Sequence, residues 1–264
     1  MADAITSPVV VVARRGGLIV IHLSDSRHCK RQSDRDEFYL HFESPVLDDY
    51  GARSGKLPNP LNRSICEGHL NRSMKVLVFA GSTRADSFNR RLAVLAAKEL
   101  RKYGVDTTLA ELRDYAMPLY DGDTEAANGL PPSAQAFKDL VRAHDALAIA
   151  SPEYNGSFPA LIKNTIDWIS RPAPGEKMLE VLRGKTVALL STSPGPGAGQ
   201  RGLKHLRELF EMIGMNVLPE QVAIAKATQA FDAEGSLVRP EDLDSLAALV
   251  TGVAAISHPV GAHQ

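Results

Sequence analysis

Short apolar runs alternate with amphipathic segments from residue 74 onward, and this alternation constrains the fold more than any other feature of the sequence. Most of the runs are unbroken and rich in β-branched residues, as is typical of strands buried on both faces of a sheet. They occupy residues 76–80, 105–112, 146–150, 186–190 and 217–224. Between them apolar positions recur at helical spacing, which predicts helices over 87–103, 131–143, 160–169, 203–213 and 240–256.

Strands that alternate with helices form a parallel sheet with helices on both faces. We therefore predict an α/β fold, a doubly wound five-stranded parallel sheet, over residues 74–258. Ligands of such sheets bind beyond the carboxyl ends of the strands, where the strand order reverses. The candidate site is therefore formed by the loops after the first, third and fourth predicted strands.

The first of these loops, residues 81–90, combines a helix start with polar side chains. A helix N-terminus offers unpaired amides and the positive end of the helix dipole. Hydroxyl and amide donors on Ser82, Ser87 and Asn89, with the positive charge of Arg84, complete the chemistry of a phosphate cradle. The alternative is that Ser87 only caps the helix and that Arg84 is solvated.

The second loop, residues 151–159, has a restricted backbone and an aromatic side chain. Pro152 and Pro159 limit its conformations, whereas Gly156 allows a ligand to approach the main chain closely. Tyr154 offers an aromatic surface and Asn155 a donor and an acceptor. A rigid turn without a ligand is the alternative.

The third loop, residues 191–202, contains the GxGxxG spacing at Gly197, Gly199 and Gly202. This spacing raises the alternative of a Rossmann dinucleotide site, with Glu220 near the ribose. That fingerprint normally follows the first strand of its unit, and a flexible glycine-rich surface loop explains the glycines equally well.

Residues 1–73 differ in composition, since 24–73 are polar and irregular. We predict a poorly ordered N-terminal extension over 1–73 and a tail over 259–264. Two apolar stretches, 9–12 and 18–23, could pair as a short hairpin. Alternatively, translation begins at Met74.

The global composition excludes several classes of function. A net charge of −1 does not suggest a nucleic-acid partner. Two cysteines without CxxC spacing provide neither a disulfide framework nor a zinc site, and the scattered histidines indicate no metal. No apolar run reaches the ~20 residues of a membrane helix. Because Arg14 and Arg15 interrupt the apolar N-terminal stretch, we also expect no signal peptide and a cytoplasmic protein.

Three motifs together resemble the NADPH-dependent FMN reductase family. They are Gly81-Ser-x-Arg-x-x-Ser-x-Asn89, Pro152-Glu-Tyr-Asn-Gly-Ser157 and Lys163-Asn-x-Ile-Asp-Trp168. Within the family the chain is most similar to bacterial chromate and quinone reductases, which overlap with FMN-dependent azoreductases. The resemblance extends over residues 74–256, and it departs from the family pattern at Pro194 and Pro196 of the third loop.

The resemblance implies a flavodoxin-like fold with non-covalently bound FMN. Residues implied to bind the phosphate are Ser82, Arg84, Ser87 and Asn89. Those implied to line the ribityl chain and the ring edge are Pro152, Glu153, Tyr154 and Asn155. Those implied to close the other side of the ring are Thr192, Ser193 and Gly195.

The implied function is an oxidoreductase that passes electrons from NADPH or NADH through FMN to quinones, chromate or azo compounds, with ping-pong kinetics. The chemistry belongs to the flavin, so no catalytic acid, base or nucleophile is expected. The resemblance also implies a homodimer or homotetramer. Two alternatives are an FMN reductase that releases reduced flavin to a partner monooxygenase and a flavodoxin-type electron carrier.

Overall fold

The computed structural model describes residues 9–14, 17–22 and 74–256, and it divides into two units, one of which spans Ser73–Pro259. The other unit contains strands β1 (Val9–Arg14) and β2 (Gly17–His22). These strands pair antiparallel, so the predicted hairpin is found. The prediction of poor order for the rest of residues 1–73 and for the tail lies outside the described residues.

The larger unit is built on a five-stranded parallel sheet. Its strands are β3 (Lys75–Ala80), β4 (Asp106–Ala110), β5 (Ala146–Ala150), β6 (Thr186–Thr192) and β7 (Asn216–Ile224). Their spatial order is β4-β3-β5-β6-β7, with every neighbouring pair parallel. The predicted flavodoxin-like α/β sheet is thereby confirmed, and the order reverses between β3 and β5.

Helices connect these strands on both faces of the sheet. They are α1 (Phe88–Lys102), α2 (Gly122–Asn128), α3 (Pro132–Arg142), α4 (Ala160–Ile169), α5 (Gln200–Met212), α6 (Ala227–Ala230) and α7 (Pro240–Ile256). A short 3₁₀ turn, Leu112–Tyr115, follows β4. Within the described residues no helix has the length and apolarity that crossing a membrane requires.

Side chains of the central strands alternate between two apolar layers, as the pleat of a strand requires. In β3, Val76 and Val78 pack in the layer that contains α1 and α7. Leu77 and Phe79 pack in the opposite layer, with α3, α4 and α5. Because both faces are buried, the strand has no polar face, which explains its unbroken apolar sequence.

Several elements differ from the sequence predictions. The chain leaves β4 at Ala110 and enters the 3₁₀ turn, so the second strand is shorter than the predicted 105–112. Helix α2 was not predicted, because it buries no residue and therefore has no apolar periodicity. Asp121 caps this helix by accepting a hydrogen bond from the Thr124 amide at 2.7 Å. Helix α5 begins at Gln200, three residues before the predicted start at 203.

Candidate cofactor site

The three predicted loops meet at the carboxyl edge of the sheet, where side-chain hydrogen bonds join them. The amide of Asn89 bridges the first and third loops, because Nδ2 donates to the Thr192 carbonyl at 2.9 Å and Oδ1 accepts from the Thr192 amide at 3.0 Å. The carboxylate of Glu153 joins the second and third loops by accepting from the Gly202 amide at 3.0 Å. The loops are therefore fixed relative to one another by the protein itself.

The first loop presents buried hydroxyls beside a helix N-terminus. Ser82 and Ser87 are buried, whereas Arg84 between them is exposed. Ser87 is the N-cap of α1 and accepts from the Arg90 amide at 3.3 Å. The helix supplies no acceptor for the amides of the cap and of the first two helical residues. Two hydroxyls, a helix N-terminus and a guanidinium are a donor set that fits a phosphate monoester.

The second loop contains a tight two-residue turn that exposes an aromatic ring. Tyr154 and Ser157 exchange backbone hydrogen bonds of 2.9 and 3.1 Å. Between them Asn155 and Gly156 have φ values of 52° and 80°. Positive φ at both central residues is typical of a type I′ turn, for which Asn-Gly is a preferred pair. The turn leaves Tyr154 49% exposed, while Pro152 beneath it is buried.

Glu153, within the same loop, caps helix α5. Gly202 lies in the first turn of α5, and no side chain of the N-cap residue Gly199 is available for capping. The carboxylate of Glu153 takes that place, and its Oε1 lies 3.6 Å from Nε of Arg201. A carboxylate at a helix N-terminus stabilises the helix through the amides and the dipole.

Packing explains two of the three glycines of the GxGxxG spacing, Gly199 and Gly202. Gly199 has φ +81°, and a Cβ there would lie 1.9 Å from the hydroxyl of Ser191. A Cβ at Gly202 would lie 3.2 Å from the Ser157 carbonyl. The Rossmann alternative needs a pyrophosphate at the N-terminus of α5, where the negative charge of Glu153 already lies. The geometry therefore disfavours that alternative.

The predicted residues Thr192, Ser193 and Gly195 lie against the end of β7. The Thr192 hydroxyl donates to the Ile224 carbonyl at 2.9 Å, and the Ser193 amide donates to the same carbonyl at 3.1 Å. The Ser193 hydroxyl donates to the Gly195 carbonyl at 3.3 Å. These contacts fix the backbone of the third loop beside the first.

Two sets of contacts were not foreseen from the sequence. Asn164 and Trp168, quoted above only as motif residues, both donate to the Pro118 carbonyl at 2.8 Å. They hold the segment after the 3₁₀ turn along α4. The guanidinium of Arg113 donates to the Thr83 carbonyl of the first loop at 2.7 Å. No local pattern signals either contact, because the partners are 30 or more positions apart.

Comparison with known proteins identifies the family. The family model described as NADPH-dependent FMN reductase matches residues 74–229, which contain all three motifs. The chain belongs to this family. A member of the NADPH-dependent FMN reductase family is an oxidoreductase with FMN as cofactor and a reduced nicotinamide nucleotide as electron donor, and the donor set of the first loop fits the FMN phosphate.

Curated relatives of this FMN reductase family member include enzymes of bacteria and plants. An NAD(P)H-dependent FMN reductase of Pseudomonas aeruginosa is 37% identical over 166 residues, which are 62% of this chain and 85% of that protein. A quinone reductase of Escherichia coli is 30% identical over 184 residues, 69% of this chain and 94% of that protein.

A solved structure of an enzyme with a similar sequence has a similar fold. The structure of a flavoenzyme NAD(P)H:acceptor oxidoreductase from Paracoccus denitrificans superposes with a TM-score of 0.60 at 28% identity. The superposition covers 70% of this chain and 97% of the Paracoccus protein.

Proposed function

We propose that this FMN reductase family member retains FMN and reduces quinones at the expense of NADPH or NADH. The observation that carries the proposal is the pair of bridges from Asn89 to Thr192 and from Glu153 to Gly202. They join the three loops by contacts within the protein, and preorganisation of this kind lowers the entropic cost of binding. The names of the relatives support quinones as the acceptor class.

The FMN phosphate would bind at the N-terminus of α1, with Ser82 and Ser87 as hydroxyl donors and Arg84 as the counter-charge. Asn89 uses both of its amide atoms on Thr192. Its contribution is therefore to hold the first loop against the third, and any direct phosphate contact would come from its backbone amide. Glu153 similarly acts by fixing the second loop to α5.

The ribityl chain and the flavin ring would lie between the second and third loops. Pro152, Tyr154 and Asn155 would line one side, and the backbone around Thr192, Ser193 and Gly195 the other. Bound FMN supplies the hydride-accepting and electron-donating chemistry. The chain places the ring and excludes water from part of it, while the exposed Tyr154 marks the side open to donor and acceptor.

One open side implies that donor and acceptor bind in turn, which would give ping-pong kinetics. Initial rates measured over a grid of NADPH and quinone concentrations should then give parallel double-reciprocal lines. Intersecting lines would contradict a shared binding position. The same assay with chromate and with an azo dye would define the acceptor range, since a reduced flavin is a general reductant.

The first experiment is an absorption spectrum of the full chain after incubation with FMN and desalting, before and after anaerobic addition of NADPH and then NADH. Retained flavin bands that bleach with either nucleotide support the proposal. Retained flavin that bleaches with neither would indicate an electron carrier.

A second candidate is an enzyme that releases reduced FMN to a partner monooxygenase, which the name of the Pseudomonas relative favours. Flavin lost on desalting, together with FMN-dependent NADPH oxidation, would support that candidate.

Self-association is the remaining part of the proposal. Leu119 follows Pro118, whose carbonyl is bonded to α4, and its side chain is 80% exposed. The side chain of Tyr154 is also exposed. Exposed apolar side chains of this kind are suited to cover by a second copy of the chain. Light scattering that gives a dimer or tetramer mass would support this arrangement. We further propose a cytoplasmic location, where reduced nicotinamides are available, and cell fractionation would test it.

A further inference from the structure

The segment that follows β4 contacts the first loop, residues 81–90, at two points. Arg113 Nη2 donates to the Thr83 carbonyl at 2.7 Å. Glu111 Oε1 accepts from Arg90 Nε at 2.6 Å, which links the same segment to the first turn of α1. The exit of β4 thus supports a loop that precedes it by about 30 residues.

The contact with Thr83 fixes the direction of one backbone amide. The Thr83 carbonyl and the Arg84 amide belong to one planar trans peptide, so their bonds point in opposite directions. Because the carbonyl is directed at Arg113, the Arg84 amide faces the other side of the loop. On that side the hydroxyl of Ser82 lies 3.4 Å from the amide nitrogen. Ser82 is one of the buried hydroxyls of the candidate phosphate site.

Arg113 also changes the charge balance of the loop. The charge of Arg90 is offset by Glu111. Neither Arg84 nor Arg113 forms an ion pair with another described residue. The carboxylates nearest to them in the sequence, Asp86 and Asp114, are exposed, and neither forms an ion pair with a described residue. Two guanidinium groups without an ion pair among the described residues suit a phosphate monoester, whose charge at pH 7 is about −1.5 to −2.

We propose that Arg113 is a positioning residue for the FMN phosphate, which orients the Thr83–Arg84 peptide and adds a second positive charge to the loop. The inference rests on the proposed phosphate site at the N-terminus of α1. Arg113 lies in the turn that follows β4, whereas the loop it supports follows β3. The phosphate site is therefore assembled from the segments that follow two different strands.

The test compares FMN with riboflavin, which has the same ring and ribityl chain but no phosphate. Affinities of the full-length chain for both flavins are measured by flavin fluorescence at low and high salt. The variants are R113A, R113Q, which keeps a donor without the charge, and R113K, which keeps the charge. The matched control is R101A, because Arg101 makes the same guanidinium-to-carbonyl bond, to Thr107 at 2.8 Å, at the other end of α1.

R113A should weaken FMN binding about tenfold at low salt, the effect of losing one charge-assisted contact, and should leave riboflavin binding unchanged. R113K should recover most of the loss, R113Q less, and high salt should narrow the differences. R101A should bind both flavins like the wild type.

The inference would be overturned if R113A weakened the binding of FMN and of riboflavin equally. It would also be overturned if R113A and R113Q bound FMN as tightly as the control R101A does. If the wild-type chain itself binds FMN no more tightly than riboflavin, the proposed phosphate site fails and the inference fails with it. That result is distinct, because it does not depend on any variant.

Discussion

At the scale of single residues, the candidate site separates side chains that can face a ligand from side chains that hold the loops. Arg84 and Tyr154 are exposed. Asn89 and Thr192 are buried and bonded to each other, so the polar character that suggested a ligand contact serves the architecture instead. Sequence patterns identify both groups as polar loop residues and cannot distinguish them, because the distinction depends on partners 103 positions apart.

Reversing the charge of Arg84 tests the phosphate assignment. R84E should weaken FMN binding by about 10- to 100-fold, because attraction to the phosphate becomes repulsion. Fluorescence titration with FMN measures the effect. The control is K98E, which makes the same change in net charge on the exposed side of α1, 14 residues further along the chain. An unchanged affinity of R84E would remove Arg84 from the phosphate site.

Gly199 should be intolerant of a side chain, unlike its neighbour Gly197. A methyl group at Gly199 meets the Ser191 hydroxyl and a positive φ, whereas one at Gly197 meets no atom within 4 Å. G199A should therefore lower the free energy of unfolding by about 1–3 kcal/mol and reduce FMN retention, while G197A should change neither. Thermal unfolding and desalting measure the two effects. Equal behaviour of the two variants would contradict the packing explanation for Gly199.

At the scale of elements, side chains of α3 bond the segment that follows α4, residues 171–176. Lys138 of α3, which is 1% exposed, bonds the carboxylate of Glu176 and the carbonyl of Arg171. Glu176 also accepts from the amide of Ala173 at 3.0 Å and from Arg142. A buried lysine requires such partners, since an unpaired buried charge is strongly destabilising.

This cluster predicts a specific acid sensitivity. The hydrogen bond from Lys138 holds the pKa of Glu176 below its usual value. The folded chain then binds the proton less readily than the unfolded chain. The interaction therefore stabilises the fold above the ordinary glutamate pKa, about 4.3, and its contribution is lost as pH falls through the lowered pKa.

E176Q should accordingly be less stable than the wild type at pH 7, by about 1–2 kcal/mol, and the difference should shrink below pH ~4. Denaturant unfolding over a pH series measures it. E208Q, on the exposed side of α5, is the control and should match the wild type throughout. A difference for E176Q that is independent of pH would contradict the role of its charge.

At the scale of the whole molecule, the family match and the five-stranded sheet both begin within two residues of Met74. The unit Ser73–Pro259 contains all three loops of the candidate site and both apolar layers. We therefore predict that a chain beginning at Met74 folds, retains FMN and oxidises NADPH at the rate of the full-length chain. Activity and flavin content per chain measure this. A shorter chain that begins at Gly81, and so lacks β3, should do neither. Loss of flavin from the chain that begins at Met74 would assign a cofactor role to the preceding residues.

The sequence by itself determined the class of fold and the loops that meet at the candidate site, because both depend on local patterns. Unbroken apolar runs predict buried parallel strands, and the spacing of strand and helix places the loops after β3, β5 and β6 at one edge. The cap at Ser87 and the end of the α1 helix follow from short-range chemistry in the same way.

The tertiary structure decided what depends on partners far apart in the chain. Helix α5 begins in the glycine loop because the carboxylate of Glu153 caps it from 49 positions upstream. Helix α2 has no apolar stripe. It is stabilised by the Asp121 cap and by the hydrogen bonds of Glu125 with Arg171 and Tyr120. Arg113 reaches the first loop only because β4 lies beside β3 in the sheet. A pattern read along the chain records spacing and polarity, whereas a hydrogen bond requires position and direction, and the fold alone supplies these.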